Sequence, residues 1–417
     1  MEYGLIAEKL GHSFSKDIHN KLFDYEYELH EVDRDSFDLF MKKREFKAIN
    51  VTIPYKEAVI PYLDKISDTA KKIGAVNTIV NENGVLCGYN TDYSGLKQLI
   101  EKSGIVIDFK KVLVLGSGGT SKTAYHVAKD MGARFVSRVS RENKDDCITY
   151  QDAYDKHSDC DVIINTTPVG MYPNIGKSPV DIDLFTKLTG VIDVVYNPLC
   201  TKLVVDAKAK GIKAVGGLYM LVCQAVDASE KFVNKKVEFC KKMQIYKEIV
   251  KSKQNIVLIG MPGAGKSTIG KLLAKEVGKT FVDTDEEIVK LLNKKIPDIF
   301  SELGESGFRK IECEVIEKLS CLQNAVIATG GGAVLNKRNM DLLKENGRIY
   351  FIDRNIEDIV TTSDRPLSSN KADLEKRYRE RYSLYCERCD KHILICNDAK
   401  ENMMQIKEDF LNENTCG

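Results

Sequence analysis

The run Gly260-Met261-Pro262-Gly263-Ala264-Gly265-Lys266-Ser267-Thr268 carries the residue types that hold a nucleoside triphosphate. Its glycines and the small Ala264 let backbone N–H groups curl around phosphate oxygens. Lys266 reaches the β and γ oxygens, the Ser267 hydroxyl holds Mg²⁺ and closes the motif, and Thr268 follows as a further nucleotide-binding candidate. A second glycine-rich turn, Gly116-Ser117-Gly118-Gly119-Thr120-Ser121, has the spacing of a dinucleotide loop, with the small Ser121 in last place. One chain therefore contains two loops that cradle phosphate, about 145 residues apart by their positions in the sequence.

Each loop needs a strand before it and a helix after it. Ile256–Ile259 is the apolar run ahead of the first loop, and a helical pattern follows. Lys111–Leu115 reads as a buried parallel strand ahead of the second, followed by a helix over Lys122–Met131 and a second strand over Ala133–Val136. The end of that second strand selects the cofactor. A site for NAD places an acid there for the ribose 2′-hydroxyl, whereas arginine pairs with a 2′-phosphate. The chain has Ser137-Arg138-Val139-Ser140-Arg141 with no acid before Glu142. NADP(H) is the expected cofactor, and Arg138 its phosphate reader; the alternative is a pair of solvated loop arginines.

The rest of the chain alternates strand-like runs (Tyr27–Val32, Ala48–Thr52, Val76–Val80) with helical patterns (Ser36–Arg44, Ser94–Lys102). This is an α/β chain with mostly parallel sheets. A substrate-binding domain is expected over 1–105, a Rossmann domain over 106–217, and a helix over 218–237 that packs back on the first domain. A lysine-rich polar connector, partly helical, follows over 238–254. A phosphate-loop domain of the nucleoside-monophosphate-kinase type follows over 255–417. A cut near residue 248 should leave two units that work alone.

Composition removes several function classes. The 417 residues carry a formal net charge of +1 and 43% hydrophobic residues, with no basic stripe. Nucleic acid is not an expected partner. No apolar run approaches a membrane span, and Tyr3–Ala7 reads as a strand, not a signal peptide. The 12 cysteines follow no framework, which suits a reducing cytoplasm. Cys386 and Cys389 form a CxxC without a second Cys/His pair, so they read as helix-surface thiols. No obligatory protein partner is evident.

Polar clusters stand at strand ends ahead of the dinucleotide turn: His12-Ser13-Phe14-Ser15, Asn50 to Lys56, Ala75 to Thr78, and Asn90-Thr91-Asp92. Further clusters are Asn165 to Met171, Asp193 to Pro198, and Gly216 to Ala225. In this order, over roughly residues 1–240, they resemble shikimate dehydrogenase. The resemblance implies that Ser13 and Ser15 hold the substrate carboxylate, with Tyr196 nearby, and that Thr52, Asn77 and Gln224 read ring hydroxyls. Lys56 and Asp92 match the catalytic pair, and Thr166 and Gly217 join the NADP site. A ketone reduced by hydride becomes an alkoxide that needs a proton, which a lysine held by an aspartate can supply. Pro54 suits a first helical turn, which would set Lys56 at a helix N-terminus. Each serine or asparagine alone reads equally well as a cap. Lys16 stands where this family usually has proline, which could loosen the serine loop.

Behind the phosphate loop come Phe281-Val282-Asp283-Thr284-Asp285, Gly307 to Glu312, Thr329 to Val334, Asp364-Arg365-Pro366-Leu367 and Arg381 to Tyr385. This series resembles shikimate kinase. The resemblance implies that Arg309 and Arg381 bind the substrate carboxylate, with Gly330, Gly331 and Gly332 allowing close approach. Asp285 would orient the attacking hydroxyl, Asp283 would support Mg²⁺ through water, and Arg365 would stabilise the transferred phosphoryl group from a lid. Alone, Asp285 reads as a helix N-cap. Ser383 replaces a usual proline, and Val360–Ser363 lacks the arginine that often covers adenine. Together the halves imply a bifunctional enzyme that reduces 3-dehydroshikimate with NADPH and phosphorylates shikimate with ATP and Mg²⁺. The alternatives are a quinate/shikimate dehydrogenase joined to another kinase, or one half retained as a regulatory module.

Overall fold

The computed structural model describes residues 1–11, 13–142, 146–359, 371–396 and 398–412. Its strands form three sheets. The first contains β1 (Tyr3–Ala7), β2 (Tyr27–Glu31), β3 (Ala48–Val51), β4 (Lys65–Ile66), β5 (Thr78–Glu82) and β6 (Val85–Tyr89), in the order β2-β1-β3-β5-β6-β4. The second contains β7 (Lys111–Leu115), β8 (Phe135–Ser140), β9 (Cys147–Thr149), β10 (Val162–Asn165), β11 (Gly190–Asp193) and β12 (Lys213–Val215), in the order β12-β11-β10-β7-β8-β9. The third contains β13 (Asn255–Ile259), β14 (Thr280–Asp283), β15 (Ala325–Ala328), β16 (Gly347–Asp353) and β17 (Lys391–Leu394), in the order β14-β15-β13-β16-β17.

The second and third sheets are parallel throughout. Their strands are near-continuous apolar runs because helices cover both faces; β7 and β13 are buried along almost their whole length. The first sheet is mixed, since β5 pairs antiparallel with both β3 and β6. The β5–β6 pair is a local hairpin: Asn83 (φ 51°) and Gly84 (φ 93°) make the tight turn, which needs two positive φ angles. In both nucleotide loops the chain leaves the central strand and enters a helix, Gly119–Asp130 after β7 and Lys266–Val277 after β13. That places each phosphate cradle at the carboxyl edge of its sheet, where strand order reverses.

The helix Leu218–Val233 closes the first half and packs on the helix Thr91–Ser103. The next segment is a helix from Phe239 to Lys253 rather than a polar tether. Its Ile245, Tyr246, Ile249 and Val250 are buried in the same apolar cluster as Leu96, Ile100 and Tyr219. Lysines on its outer face hide this stripe from a reading of composition. Each fully buried aliphatic side chain is worth about 1.5–3 kcal/mol, so this helix is part of the first half's core, and a cut at residue 248 falls inside it. Its end is held from the third sheet's side: Lys279 Nζ donates to the carbonyls of Lys251 (2.6 Å) and Gln254 (2.9 Å). Burial lowers the Lys279 ammonium to about 8. Among the described residues no helix is long and apolar enough to cross a membrane.

Candidate active sites

Lys56 lies just past β3, at the carboxyl edge of the first sheet. The residues after Pro54 form successive turns, not a helix, and the first helical element is the short Ile60–Tyr62. The proposed helix N-terminus at Lys56 is therefore absent. The chain here makes separate turn bonds, Tyr55 N to Thr52 O at 2.9 Å and Val59 N to Tyr55 O at 3.0 Å, and no helical ladder follows from Pro54. Lys56 is positioned by side chains instead. Its Nζ donates to Asp92 Oδ2 at 2.6 Å and to Thr120 Oγ1 at 3.2 Å. The Lys56 and Asp92 side chains are 13% and 10% exposed. Asp92 stands in the first turn of Thr91–Ser103, whose cap is Asn90 accepting from Tyr93 N at 3.1 Å. Thr120 belongs to the dinucleotide turn, and a Cβ on Gly119 would lie 3.5 Å from Lys56 Cβ. Thr120 and Gly119 thus bring the dinucleotide turn, the part that cradles a pyrophosphate, alongside the Lys56 side chain.

A buried hydrogen-bond network lines the neighbouring strand ends. Asn77 Oδ1 accepts from Thr91 N at 2.7 Å, and Asn77 Nδ2 donates to Thr91 Oγ1 at 3.1 Å. Asn50 Nδ2 donates to Thr78 Oγ1 at 3.1 Å, and Tyr27 OH donates to Asn50 Oδ1 at 2.7 Å. Thr91 Oγ1 lies 3.5 Å from Gln224 Oε1, which joins the helix Leu218–Val233 to the same network. Thr52 follows β3, and its N–H donates to Ile6 O at 3.0 Å. In the serine loop, Ser15 N donates to Ser13 Oγ at 3.2 Å. Tyr196, after β11, packs on Phe14 with ring centroids 5.3 Å apart. Burial raises its phenol, opposed by a hydrogen bond to Ser13. Asn50, Thr78 and Thr91 lie inside the polar clusters but had no role by sequence alone. A buried polar side chain flanking Asn77 was the available signal.

The dinucleotide turn has the contacts its glycines require. Gly116 has φ 122°, and a Cβ there would come within 2.5 Å of Thr166 Oγ1, itself bonded to Leu115 O at 2.6 Å. Gly217 abuts Val194 O so closely that a Cβ would overlap it. Gly118 faces open space ahead of the helix Gly119–Asp130, so a pyrophosphate fits there. Strand β8 runs on to Ser140, so Arg138 lies within the strand and not beyond its end. Its side chain is buried rather than solvated. One guanidinium nitrogen lies 3.5 Å from Ser121 Oγ, and another pairs with Asp146. The cation is held at the mouth of the turn by Ser121 and Asp146.

The phosphate loop has positive φ at Gly260, Gly263 and Gly265. Lys266 Nζ donates to Gly260 O at 3.0 Å and Met261 O at 2.9 Å. Ser267 Oγ donates to Asp283 Oδ2 at 2.6 Å. That hydroxyl and carboxylate fit Mg²⁺, which takes few protein ligands beside phosphate and water. Among the described residues no group of three or more His, Cys, Asp or Glu could hold a metal unaided, and this includes Cys386 and Cys389. Asp283, not Asp285, caps the helix Thr284–Leu292 by accepting from Asp285 N at 2.9 Å. The Asp285 side chain faces the triple glycine instead.

That glycine run brings the remaining groups together. A Cβ on Gly330 would stand 2.7 Å from Asp285 Oδ1 and 2.9 Å from Glu312 Oε1. One on Gly331 would meet Pro262 of the phosphate loop at 2.5 Å, and one on Gly332 would overlap the Arg309 guanidinium. Arg309 Nη1 donates to Glu312 Oε2 at 2.8 Å, and Arg381 Nη1 to Gly331 O at 3.1 Å. Burial lowers Arg381, and Arg309 nearby adds to this. The buried Arg381, the half-buried Arg309 and the Asp285 carboxylate meet at this glycine run, a set of groups that suits an anionic ligand with hydroxyls. Glu312 is also buried here, and burial raises its carboxyl against the pull of Arg309. It stands at the end of the Gly307–Glu312 cluster, but only the fold shows that it faces the site. Arg365 and Val360–Ser363 lie outside the described residues, as does His12.

Residues 5–79 match the family model of the shikimate dehydrogenase substrate binding domain, and residues 262–412 match that of shikimate kinase. The shikimate dehydrogenase (NADP(+)) of Clostridium beijerinckii is 42% identical over 244 residues, which is 55% of this chain and 90% of that protein. The crystal structure of shikimate dehydrogenase 1 from Peptoclostridium difficile is similar with a TM-score of 0.56 and 36% identity, covering 60% of this chain and 98% of that one. The Thermus thermophilus shikimate 5-dehydrogenase, solved in complex with NADP(H) and shikimate, gives a TM-score of 0.54 at 27% identity, over 60% and 99% of the two chains. The chain belongs to the shikimate dehydrogenase family through its first half and carries a shikimate kinase domain in its second.

Proposed function

We propose that this protein carries out two consecutive steps on one small molecule: NADPH-dependent reduction of 3-dehydroshikimate to shikimate, then ATP-dependent phosphorylation of shikimate at its 3-hydroxyl. The observation that carries the reading is the placement of Lys56 Nζ between Asp92 and the dinucleotide turn, in a chain whose second phosphate loop abuts a two-arginine carboxylate site. NADPH supplies the hydride, and ATP with Mg²⁺ supplies the phosphoryl group.

In the first site Ser13, Ser15 and Tyr196 hold the carboxylate. Thr52, Asn77 and Gln224 read ring oxygens, so a substrate missing a hydroxyl leaves buried partners unpaired. Lys56 stabilises the oxygen that gains charge and gives it a proton; Asp92 holds the ammonium in place. Arg138 pairs with the 2′-phosphate, and Gly116 to Ser121, with Thr166 and Gly217, admit the dinucleotide. In the second site Arg309 and Arg381 hold the carboxylate against Gly330–Gly332, and Asp285 orients the attacking hydroxyl. Lys266 and Arg365 neutralise the transferred group, while Ser267 and, through water, Asp283 hold Mg²⁺. The domain limits 1–105, 106–217 and 255–417 follow the same division, and a cytoplasmic setting supplies both nucleotides.

The test is a substrate panel on the purified chain. NADPH oxidation with 3-dehydroshikimate and ATP use with shikimate are expected. Failure of either overturns that half, and NADP⁺ reduction with quinate at a rate matching shikimate favours the broader dehydrogenase.

A further inference from the structure

The kinase domain meets the other half beside the loop that carries Tyr196. That loop, residues 194–201, leaves β11 and runs over the carboxyl edge of the second sheet. Its inner end is fixed from within: Asp193 is buried and accepts from Asn165 Nδ2 (3.0 Å), Val195 N (3.0 Å) and Thr201 Oγ1 (2.6 Å). Its outer stretch is fixed by the kinase domain. Gln323 Nε2 donates to Asn197 Oδ1 at 2.8 Å. Leu199 N donates to Asn346 Oδ1 at 3.4 Å, and Cys200 N to Glu345 O at 2.8 Å. Backbone N–H groups that would otherwise need water are thus satisfied by the C-terminal residues of the helix Lys337–Asn346.

The same asparagine reaches the facing wall. Asn346 Nδ2 donates to Lys253 O at 3.2 Å and to Leu322 O at 2.8 Å. Lys253 ends the connecting helix, and its Nζ pairs with Asp17 Oδ2 at 2.8 Å and lies 4.6 Å from the centre of the Phe14 ring. Phe14 stands between Ser13 and Ser15 and packs on Tyr196. One buried side chain of the kinase domain therefore bonds the Tyr196 loop directly and braces the serine loop through Lys253. Neither contact belongs to the kinase site, which lies at the opposite end of β16 and beyond β13.

We propose that Gln323 and Asn346 are positioning residues for the dehydrogenase: through Asn197, Leu199 and Lys253 they fix the distance between Tyr196 and the serine loop, and so the grip on the 3-dehydroshikimate carboxylate. This rests on the reading that Tyr196 and Ser13 hold that carboxylate. It makes the kinase domain a structural subunit of the first active site and gives the fusion a physical consequence beyond tethering.

The test uses the full chain. Gln323→Ala, and Gln323→Ala with Asn346→Ala, should raise KM for 3-dehydroshikimate roughly five- to twentyfold, the scale of one or two lost hydrogen-bonded supports. KM for NADPH and the kinase kcat/KM should stay within about twofold, a split that general destabilisation does not produce. Tyr196→Phe is the control, and it should raise the same KM. If it does and the folded Gln323→Ala and double variants keep the parent KM, the proposal is overturned. If the double variant does not fold, an unchanged KM in Gln323→Ala alone overturns it. If Tyr196→Phe itself leaves KM unchanged, the carboxylate assignment fails and the proposal falls with it.

Discussion

In the first half Lys56 is already bonded to the carboxylate that holds it, while in the second half Lys266 bonds to carbonyls of its own loop and Arg309 to Glu312. The difference follows from the chemistry. Proton delivery to an alkoxide needs a fixed donor aimed at one oxygen, and in the proposed mechanism Lys56 held by Asp92 is that donor. Phosphoryl transfer needs positive charge gathered around an anion that arrives with the nucleotide. In the proposed mechanism Lys266 would leave the loop carbonyls Gly260 O and Met261 O for the arriving phosphate. On the proposed reading, one site depends on which group carries a proton, and the other on where charge is placed.

The sharpest way to break this comparison is to keep charge and change chemistry. Lys56→Ala should lower reduction by about 10²–10⁴-fold and leave phosphorylation unchanged. Lys56→Arg should be nearly as inactive, since arginine does not release its proton. Lys266→Arg, in contrast, should retain more activity than Lys266→Ala, because charge without proton transfer is what that site needs. Asp92→Ala should fall between wild type and Lys56→Ala. Steady-state rates of both reactions on all five proteins decide this; high activity in Lys56→Arg would erase the distinction.

Arg138 offers a smaller effect. It is a charge-placing group within the proton-transfer half, so it should behave like the kinase cations. Losing a charge-assisted contact of about 1.5–3 kcal/mol should raise KM for NADPH roughly ten- to a hundredfold in Arg138→Ala, with NADH hardly touched. Equal losses for both cofactors would show that Arg138 supports the turn through Ser121 instead.

The smallest expected effect lies at the boundary between the halves. Glu345 is buried where its Oε2 accepts from Gly176 N at 3.2 Å. Burial raises its carboxyl from 4.5 to about 8; the Gly176 N–H and Lys202 oppose the shift, and Asp206 and Asp341 add to it. A carboxyl whose folded value is raised contributes most below its unfolded value, and that contribution is lost as pH rises through the folded one. Glu345→Gln removes the titration. Its melting temperature relative to the parent should therefore climb by roughly 2–4 °C between about pH 6 and pH 9. A constant difference across that range would show that Glu345 does not titrate at the interface.

Both phosphate loops were legible because glycine spacing encodes backbone conformation directly, and the apolar strands before them admit few other readings. Lys56, Asp92, Arg309 and Arg381 were singled out through the order of their clusters, and the fold brings each pair to one place. What escaped was set by tertiary packing. The helix after Phe239 looked like a tether because its lysines outnumber the four buried side chains that anchor it. Pro54 suggested a helix start, but a start needs a continuing hydrogen-bond ladder, and the chain turns away. Arg138 was expected past a strand that runs four residues further than its apolar run suggests. The hairpin at Asn83-Gly84 was readable from its residues alone and makes the first sheet mixed. Glu312 and Thr91 sat inside motifs, but their burial against the site depends on partners far away in sequence.

The central claim is that one chain takes 3-dehydroshikimate through shikimate to its 3-phosphate by two separate catalytic centres. Lys56→Ala and Lys266→Ala proteins, alone and mixed, can be given 3-dehydroshikimate, NADPH, ATP and Mg²⁺ while shikimate 3-phosphate is measured. The account predicts that the parent forms it and that each variant alone forms it at about a hundredth of the parent rate or less. The mixture should recover formation because shikimate released by one protein is phosphorylated by the other. Shikimate 3-phosphate made by either variant alone at a rate near the parent's, or none made by the parent, would contradict it.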